Sequence, residues 1–133
     1  MTNLDAATRR PRVLVIDDSE IASEVACAVL KNDGFDVRAV RSADEFGEVL
    51  EAWLPDIVLA DVNMPGVSGP DLCRWIKVRV ETQSVPVVLY SDMAESKLRS
   101  LAEDAGADAY VTKANGIEHV SEKLTQLCEE IVW

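Results

Sequence analysis

The chain has few basic residues, few aromatic residues and no long apolar run. Its 13 lysines and arginines face 24 acidic residues, which gives a formal net charge of −11. A surface this negative repels phosphate backbones and anionic lipids, so we expect no direct binding to nucleic acid or to membranes. No apolar run reaches the ~18 residues that span a bilayer, and residues 1–5 lack a secretory pattern. We therefore expect a cytoplasmic protein.

Cysteine motifs and phosphate-loop motifs are also missing. Cys27, Cys73 and Cys128 are far apart, odd in number and free of Cys-x-x-Cys spacing. This pattern predicts neither a disulfide framework nor a zinc site. No Gly-x-x-x-x-Gly-Lys occurs, so a nucleotide-binding loop is not indicated.

What the chain does have is an alternation of short β-branched runs with longer amphipathic stretches, over a length typical of one domain. Strands are predicted at residues 12–16, 35–40, 56–60, 87–90 and 109–111. Helices are predicted from Ser19 to Gly34, from Ser42 to Pro55, from Pro70 onward, over residues 94–106, and from Asn115 to the end. This pattern predicts a doubly wound α/β domain over residues 12–133, because right-handed crossovers place helices on both sheet faces. Residues 1–11 are predicted to be a disordered leader.

Apolar spacing predicts the inner faces of two helices. The first helix is expected to use Ile21, Val25, Ala28 and Val29. The helix after Pro70 is expected to carry Leu72, Trp75, Ile76 and Val80.

Polar residues stand where the predicted strands end. Asp17 and Asp18 follow the first strand, Asp61 the third, Ser91 the fourth and Lys113 the fifth. Ligands of an open parallel sheet bind at its carboxyl edge, so these side chains are expected to converge there. Crowded carboxylates require a proton or a cation between them, and hard oxygen ligands suit Mg²⁺. One Mg²⁺ and one lysine would balance three carboxylates.

Each motif also has a structural alternative when it is taken alone. Asp17, Asp18 and Ser19 could cap the first helix, because acids there suit the helix dipole. Ser91 could be an ordinary cap and Lys113 a solvated surface residue. Only their joint placement favours a functional site.

The motifs Asp17-Asp18, Asp61-Val62-Asn63-Met64-Pro65-Gly66, Ser91 and Tyr110-Val111-Thr112-Lys113 resemble those of response-regulator receiver domains of two-component signalling. The resemblance covers about residues 12–132. It implies a five-stranded parallel sheet of flavodoxin-like order 2-1-3-4-5 with five helices. It also implies a switch that catalyses its own phosphorylation and dephosphorylation, rather than a multiple-turnover enzyme.

The resemblance implies a role for each matched residue. Asp61 would be the phosphoacceptor, Asp18 a direct Mg²⁺ ligand, Asp17 an acid acting through water, and the Asn63 carbonyl a further ligand. Attack by the Asp61 carboxylate on phosphorus would give an acyl phosphate. The remaining roles fall to Ser91 and Lys113 as phosphoryl-binding groups, and to Tyr110 as an aromatic switch that turns inward when Ser91 moves. The alternative that Tyr110 is only an aromatic residue at the edge of a strand stays open.

The implied partners are a sensor histidine kinase or a phosphotransfer protein, and a downstream protein or the chain's own effector domain. A homodimer is left open, as is whether the chain is a single-domain regulator or part of a longer protein.

Two residues depart from the pattern. Receiver domains usually have a proline, joined by a cis peptide, where this chain has Ala114, so the Lys113–Ala114 bond is expected to be trans or strained. Asp92 stands where a small residue is common. These departures motivate an alternative, a pseudo-receiver that binds partners without phosphorylation. A third hypothesis, an aspartyl phosphatase, is disfavoured because Asn63 stands where such enzymes place a second acid.

Overall fold

The computed structural model describes residues 10–64 and 66–131, with side chains up to residue 130. The leader predicted over residues 1–11 lies outside the described residues except for Arg10 and Pro11. Pro65 of the predicted turn also lies outside them. Within the described residues, no helix is both long and apolar enough to cross a membrane.

The described residues form a five-stranded parallel sheet with helices on both faces. The strands are β1 (Arg12–Ile16), β2 (Asp36–Val40), β3 (Ile57–Asp61), β4 (Val87–Ser91) and β5 (Ala109–Thr112). The helices are α1 (Glu20–Asn32), α2 (Ala43–Trp53), α3 (Gly69–Lys77), α4 (Glu95–Ala105) and α5 (Ile117–Ile131), with a 3₁₀ turn at Lys113–Asn115. The strand order is β2-β1-β3-β4-β5, and each neighbouring pair is parallel. The doubly wound fold and its strand order are confirmed.

Alternate strand residues enter two separate cores, one on each face of the sheet. The core beneath α1 and α5 includes Val13, Val15, Leu30, Leu59 and Leu124. The core beneath α2, α3 and α4 includes Leu14, Ile16, Phe46, Leu72 and Leu98. All five residues of β3 are buried, as expected for a central strand without alternating polarity. Residues two apart on a strand therefore point to the same face, which decides the side on which each polar residue at a strand end lies.

Serine caps start the first two helices where the sequence predicted them. The Oγ of Ser19 accepts from the Ala22 N–H at 3.2 Å, and the Oγ of Ser42 accepts from the Glu45 N–H at 3.2 Å. Glu45 reaches back as in a capping box, although its Oε1 accepts from Arg41, one residue before the cap. These bonds satisfy N–H groups that have no partner within the helix, so each helix begins at a defined residue.

The apolar face predicted for α1 is wrong. Ile21 is 75% exposed and Val25 is 49% exposed, whereas Ser23, Ala26 and Leu30 are buried. The small side chains let α1 lie close to the end of β1, where the Ser23 hydroxyl contacts the Asp17 carbonyl at 3.4 Å. Helical spacing alone cannot distinguish this face, because small residues carry little hydrophobic signal.

The helix α3 is shorter than predicted. It ends at Lys77, and Val80 is 80% exposed, so the inward placement of Val80 is wrong. The Thr82 hydroxyl donates to the Ile76 carbonyl at 2.8 Å, which satisfies a helix-end acceptor from outside the helix. Leu72 and Ile76 are buried as expected, whereas Trp75 is 37% exposed, so its inward placement is also wrong.

Gly69 is the point of closest approach between α3 and the end of β3. Its N–H donates to the Val62 carbonyl at 3.1 Å. A Cβ at this position would overlap the carbonyl oxygen of Asp61 and lie 3.1 Å from the Cα of Val62. Both neighbours are backbone, so they cannot rotate away. The absence of a side chain at residue 69 therefore helps to place Asp61.

We predict that Gly69→Ala lowers the free energy of unfolding by about 1–3 kcal/mol, the usual range for overpacking. Gly47→Ala is the matched control, since Gly47 lies within α2 and an added Cβ there meets nothing within 4 Å. The control should raise the free energy of unfolding by about 0.8–1 kcal/mol through helix propensity. Urea unfolding of the two variants measures both changes, and a Gly69→Ala variant as stable as the wild type would contradict the close approach.

Candidate functional site

Three carboxylates meet at the carboxyl edge of the sheet. Asp17 and Asp18 directly follow β1, and Asp61 is the last residue of β3. Ile16 pairs with Ala60 across the two strands, so Asp17 and Asp61 continue the same row. Carboxylate oxygens of the three acids lie within 4.8 Å of one another. The structure brings together the acids that the sequence placed in one site.

The two inner acids are nearly removed from solvent. Asp17 is 0% exposed and Asp61 is 6% exposed, whereas Asp18 lies nearer the surface. The Oδ1 of Asp17 accepts from the backbone N–H of Ser19 at 2.9 Å. Ser19 caps α1, so the structural role and the clustered arrangement coexist at the end of β1.

Lys113 is the cation that faces the cluster. Its Nζ lies 3.3 Å from Asp61 Oδ1 and 3.6 Å from Asp17 Oδ2. No cis peptide bond occurs among the described residues, so the bond from Lys113 to Ala114 is trans. The side chain reaches both carboxylates from the first residue of the 3₁₀ turn. Replacement of proline by Ala114 has therefore not removed Lys113 from the site.

The charges around Asp61 oppose one another. Burial raises the pKa of the Asp61 carboxyl above its usual value, and the Asp17 carboxylate raises it further. Lys113 and the backbone N–H of Asn63 lower that pKa. The pKa remains raised on balance, so one lysine does not fully compensate the ionised form of Asp61.

Tyr90 belongs to the site, although the sequence pattern assigned it only to the fourth strand. Its phenol donates to Asp17 Oδ2 at 2.5 Å, and Lys113 Nζ lies 4.6 Å from its ring centroid. Tyr90 pairs with Asp61, and β3 lies between β1 and β4, so the side chain reaches Asp17 past β3. Burial and the bond to Asp17 raise the pKa of Tyr90 far above its usual value, which keeps the phenol a neutral donor. The only sequence signal was a hydroxyl-bearing side chain at the end of a strand buried on both faces.

Ser91 ends β4 at the same edge, and Tyr110 lies within β5, two residues before the end of that strand. Ser91 is buried, and its Oγ accepts from the Met93 N–H at 3.2 Å. Tyr110 is half-buried, and its phenol oxygen accepts from Arg99 Nε on α4 at 3.1 Å. The Tyr110 hydroxyl is therefore held at the exposed surface of α4 in this structure.

Asn63 and Asp92 occupy the rim. Asn63 is exposed, two residues beyond Asp61, where its backbone N–H bonds to the Asp61 carboxylate. Asp92 is also exposed, and among the described residues the clustered acids are Asp17, Asp18 and Asp61 without it. The extra acid thus lies beside the cluster and outside it.

The donor set suits a small divalent cation. Three acids offer hard oxygen atoms within 4.8 Å, and opposite ligands of an octahedral Mg²⁺ lie about 4 Å apart. Lys113 supplies one positive charge against three negative ones, which leaves a formal charge of −2. Asp18 lies on the open side, where water can complete a coordination shell. The residues present therefore fit Mg²⁺.

Together, the fold and this edge define the class: a doubly wound α/β domain with a buried acid, two neighbouring acids and a lysine at the switch point of the sheet. Residues 13–125 match the family model described as the response regulator receiver domain. The chain belongs to this family.

Curated relatives agree with the family assignment. The chain is 35% identical over 103 residues to the phosphate regulon transcriptional regulatory protein PhoB of Rhizobium meliloti, covering 77% of this chain and 45% of the relative. It is 40% identical over 101 residues to the transcriptional regulatory protein CseB of Streptomyces coelicolor, covering 76% and 42%. The chain thus spans less than half the length of these relatives.

Solved structures share the fold. The signal receiver domain of a signal transduction histidine kinase from Syntrophus aciditrophicus superposes with a TM-score of 0.82 at 25% identity, covering 92% of each chain. The chemotaxis response regulator CheY4 of Vibrio cholerae gives a TM-score of 0.81 at 19% identity, covering 89% of this chain and 98% of CheY4. The similarity to CheY4 shows only that the two chains share a fold.

We predict that Asp61→Asn stabilises the metal-free protein at neutral pH. The pKa of Asp61 is raised on folding, so the ionised carboxylate disfavours the folded state. This cost is complete above the raised folded pKa and disappears as the pH falls below the unfolded value of about 3.9. Urea unfolding in EDTA should therefore show a stability gain at pH 7 that narrows towards pH 4. A variant less stable than the wild type at pH 7 would contradict the charge balance described above.

Proposed function

We propose that this chain is a phosphoacceptor switch in which the Asp61 carboxylate takes up a phosphoryl group in a Mg²⁺-dependent reaction. The observation that carries the proposal is the position of Asp61. It is a buried carboxylate 3.3 Å from a lysine ammonium, with carboxylate oxygens of two further acids within 4.8 Å.

The charge balance supports a requirement for a divalent ion. Asp17, Asp18 and Asp61 would hold Mg²⁺ through carboxylate oxygens or bound water, with the Asn63 carbonyl as a further ligand. Bound Mg²⁺ would offset negative charge on the incoming phosphoryl group, which brings about one further negative charge to the site. Without a cation, the formal charge of −2 would repel a phosphodonor.

The residues of this chain divide the transfer step between them. One oxygen of the Asp61 carboxylate forms a bond to phosphorus, and the bond from phosphorus to the imidazole nitrogen of a phosphohistidine breaks. The leaving imidazole keeps that electron pair. Lys113 then forms an ion pair with the phosphoryl oxygens, and the Ser91 hydroxyl donates a hydrogen bond to them. Ser91 would exchange its bond to the Met93 N–H for this new contact.

A change at Ser91 would alter the partner surface through Tyr110. In this structure Arg99 holds the Tyr110 hydroxyl at the surface of α4. Movement of Ser91 towards a phosphoryl group would open space along β4 and β5, and Tyr110 would leave Arg99 and turn inward. The surface of α4, β5 and α5 would then differ between the two states.

Partners follow from this chemistry. The phosphodonor would be a sensor histidine kinase or a phosphotransfer protein, both met in the cytoplasm. The names of PhoB and CseB describe transcriptional regulators. The downstream target would therefore be an effector domain or a separate regulator protein, and the strongly negative receiver would not itself contact nucleic acid.

Incubation with Mg²⁺ and acetyl phosphate should add the mass of one phosphoryl group to the wild-type chain, as measured by intact-protein mass spectrometry. Asp61→Asn should abolish the addition, because the nucleophilic carboxylate is gone. Asp44→Asn makes the same charge change at an exposed position in α2 and should leave the addition intact. A wild-type mass that stays unchanged would count against the proposal, as would equal labelling of the Asp61 variant.

A phosphorylation-independent pseudo-receiver is the second candidate, favoured by the exposed Asp92 at the rim of the site. Beryllofluoride with Mg²⁺ separates the two, because a switch should show amide shifts around Ser91 and Tyr110 and a frozen module should not.

We predict that Arg99→Ala moves the free protein towards the beryllofluoride-bound state, since it removes the bond that holds Tyr110 outward. The readout is the position of the β5 amide signals between the free and bound extremes. Glu95→Ala is the control, because it removes the ion pair of Glu95 with Arg99 and leaves the bond to Tyr110. If the β5 amide signals of free Arg99→Ala match those of the free wild type, the bond from Arg99 does not hold Tyr110 outward.

A further inference from the structure

Tyr90 is the residue that links Asp17, Asp61 and Lys113 from the core side of the acidic site. It lies on β4, its hydroxyl contacts Asp17 after β1, and its ring supports Lys113 after β5. Asp61 is its register partner on the strand between β1 and β4. Tyr90 therefore contacts both Asp17 and Lys113.

We infer that Tyr90 is a positioning residue of this site, which orients Asp17 through its hydroxyl and aims Lys113 through its ring. The inference deepens the proposed phosphoacceptor function and rests on it for its biological meaning. Tyr90 does not touch the reacting atoms, and its effect passes through the two neighbours.

The hydroxyl acts on a carboxylate that solvent cannot reach. Asp17 is 0% exposed, so its oxygens depend on protein donors rather than water. Ser19 N–H occupies Oδ1 at 2.9 Å and the Tyr90 hydroxyl occupies Oδ2 at 2.5 Å. One donor on each oxygen fixes the plane of the carboxylate. Bonds of this kind, outside the metal's own ligands, govern the orientation and affinity of a metal site.

The ring acts on a long lysine side chain that is only partly buried. Lys113 begins a short 3₁₀ turn, is followed by Ala114, and keeps 31% of its side chain exposed. A long side chain in that setting populates many rotamers. The Tyr90 ring, 4.6 Å from Nζ, favours the rotamer in which the ammonium faces Asp61. The Tyr90 ring thus limits the number of rotamers open to Lys113, which is followed by Ala114 rather than by proline.

A purely structural role makes a different prediction. Tyr90 is 3% exposed and packs in the core beneath α1 and α5, so its replacement could act through stability alone. Two substitutions separate the roles: Tyr90→Phe keeps the ring and loses the hydroxyl, and Tyr90→Leu loses both. Thr82→Val is the matched control, because it removes a buried hydroxyl that donates to the Ile76 carbonyl on α3, away from the acids.

The first test is a Mg²⁺ titration of the full chain followed by amide chemical shifts, without any phosphodonor. Tyr90→Phe should weaken the apparent Mg²⁺ affinity by about tenfold, the lower end of the effect of losing such a supporting partner. Thr82→Val should bind Mg²⁺ as the wild type does, even where its stability falls. Equal Mg²⁺ affinity in Tyr90→Phe and wild type would overturn the hydroxyl's role.

The second test follows the Lys113 side chain by NMR. Its terminal methylene protons should be shifted upfield by the aromatic ring in the wild type and in Tyr90→Phe, and should lose that shift in Tyr90→Leu. At saturating Mg²⁺, the rate at which acetyl phosphate phosphorylates Tyr90→Phe should be within about twofold of the wild-type rate. The rate for Tyr90→Leu should be about threefold lower, which is the size of effect expected from the loss of one cation–π contact. Unchanged Lys113 shifts in Tyr90→Leu would overturn the ring's role.

The two claims fail separately. If Tyr90 variants alter Mg²⁺ affinity and Lys113 shifts while the wild type itself is not phosphorylated, the positioning role holds and the phosphoacceptor function is rejected. If the wild type is phosphorylated and the Tyr90 variants match it in every readout, the positioning role is rejected and the function stands.

Discussion

The site depends on a conflict between buried like charges. Asp17 and Asp61 are held side by side at the end of adjacent strands, where both are buried, and burial and the Asp17 carboxylate both raise the pKa of Asp61. Lys113 offsets the repulsion from Asp17 but not the whole cost of burying the Asp61 carboxylate, so the pKa of Asp61 stays raised. The rest of the edge can be understood as the means of keeping these groups together: a sheet register, a supporting phenol and a helix that starts at a glycine.

Much of the fold could be predicted because its signals are local. The β1 strand has the bounds that its apolar run indicates, and Ser19 and Ser42 start helices because their side chains satisfy nearby N–H groups. Once the order of parallel strands is known, residues that follow strands must share one edge. That rule places Asp61 and Lys113 together from the sequence alone.

Other features depend on relations that one sequence does not contain. The inner face of α1 consists of Ser23, Ala26 and Leu30, and its first turns bury the small Ser23 and Ala26 rather than the larger Ile21. The contact from Tyr90 to Asp17 requires the register of β3 against β4 and the face on which each residue points. Neither is encoded by spacing within a single strand.

The path of Tyr90 past β3 also bears on how such a site can be altered. Tyr90 contacts Asp17 after β1 and Lys113 in the turn after β5, and it pairs with Asp61 on β3. These segments are therefore structurally coupled rather than independent. Exchange of a single loop with a related domain would leave a donor without its acceptor or a lysine without its support. Grafting this chemistry onto another scaffold would require Asp17, Tyr90 and Lys113 to be transferred as one block.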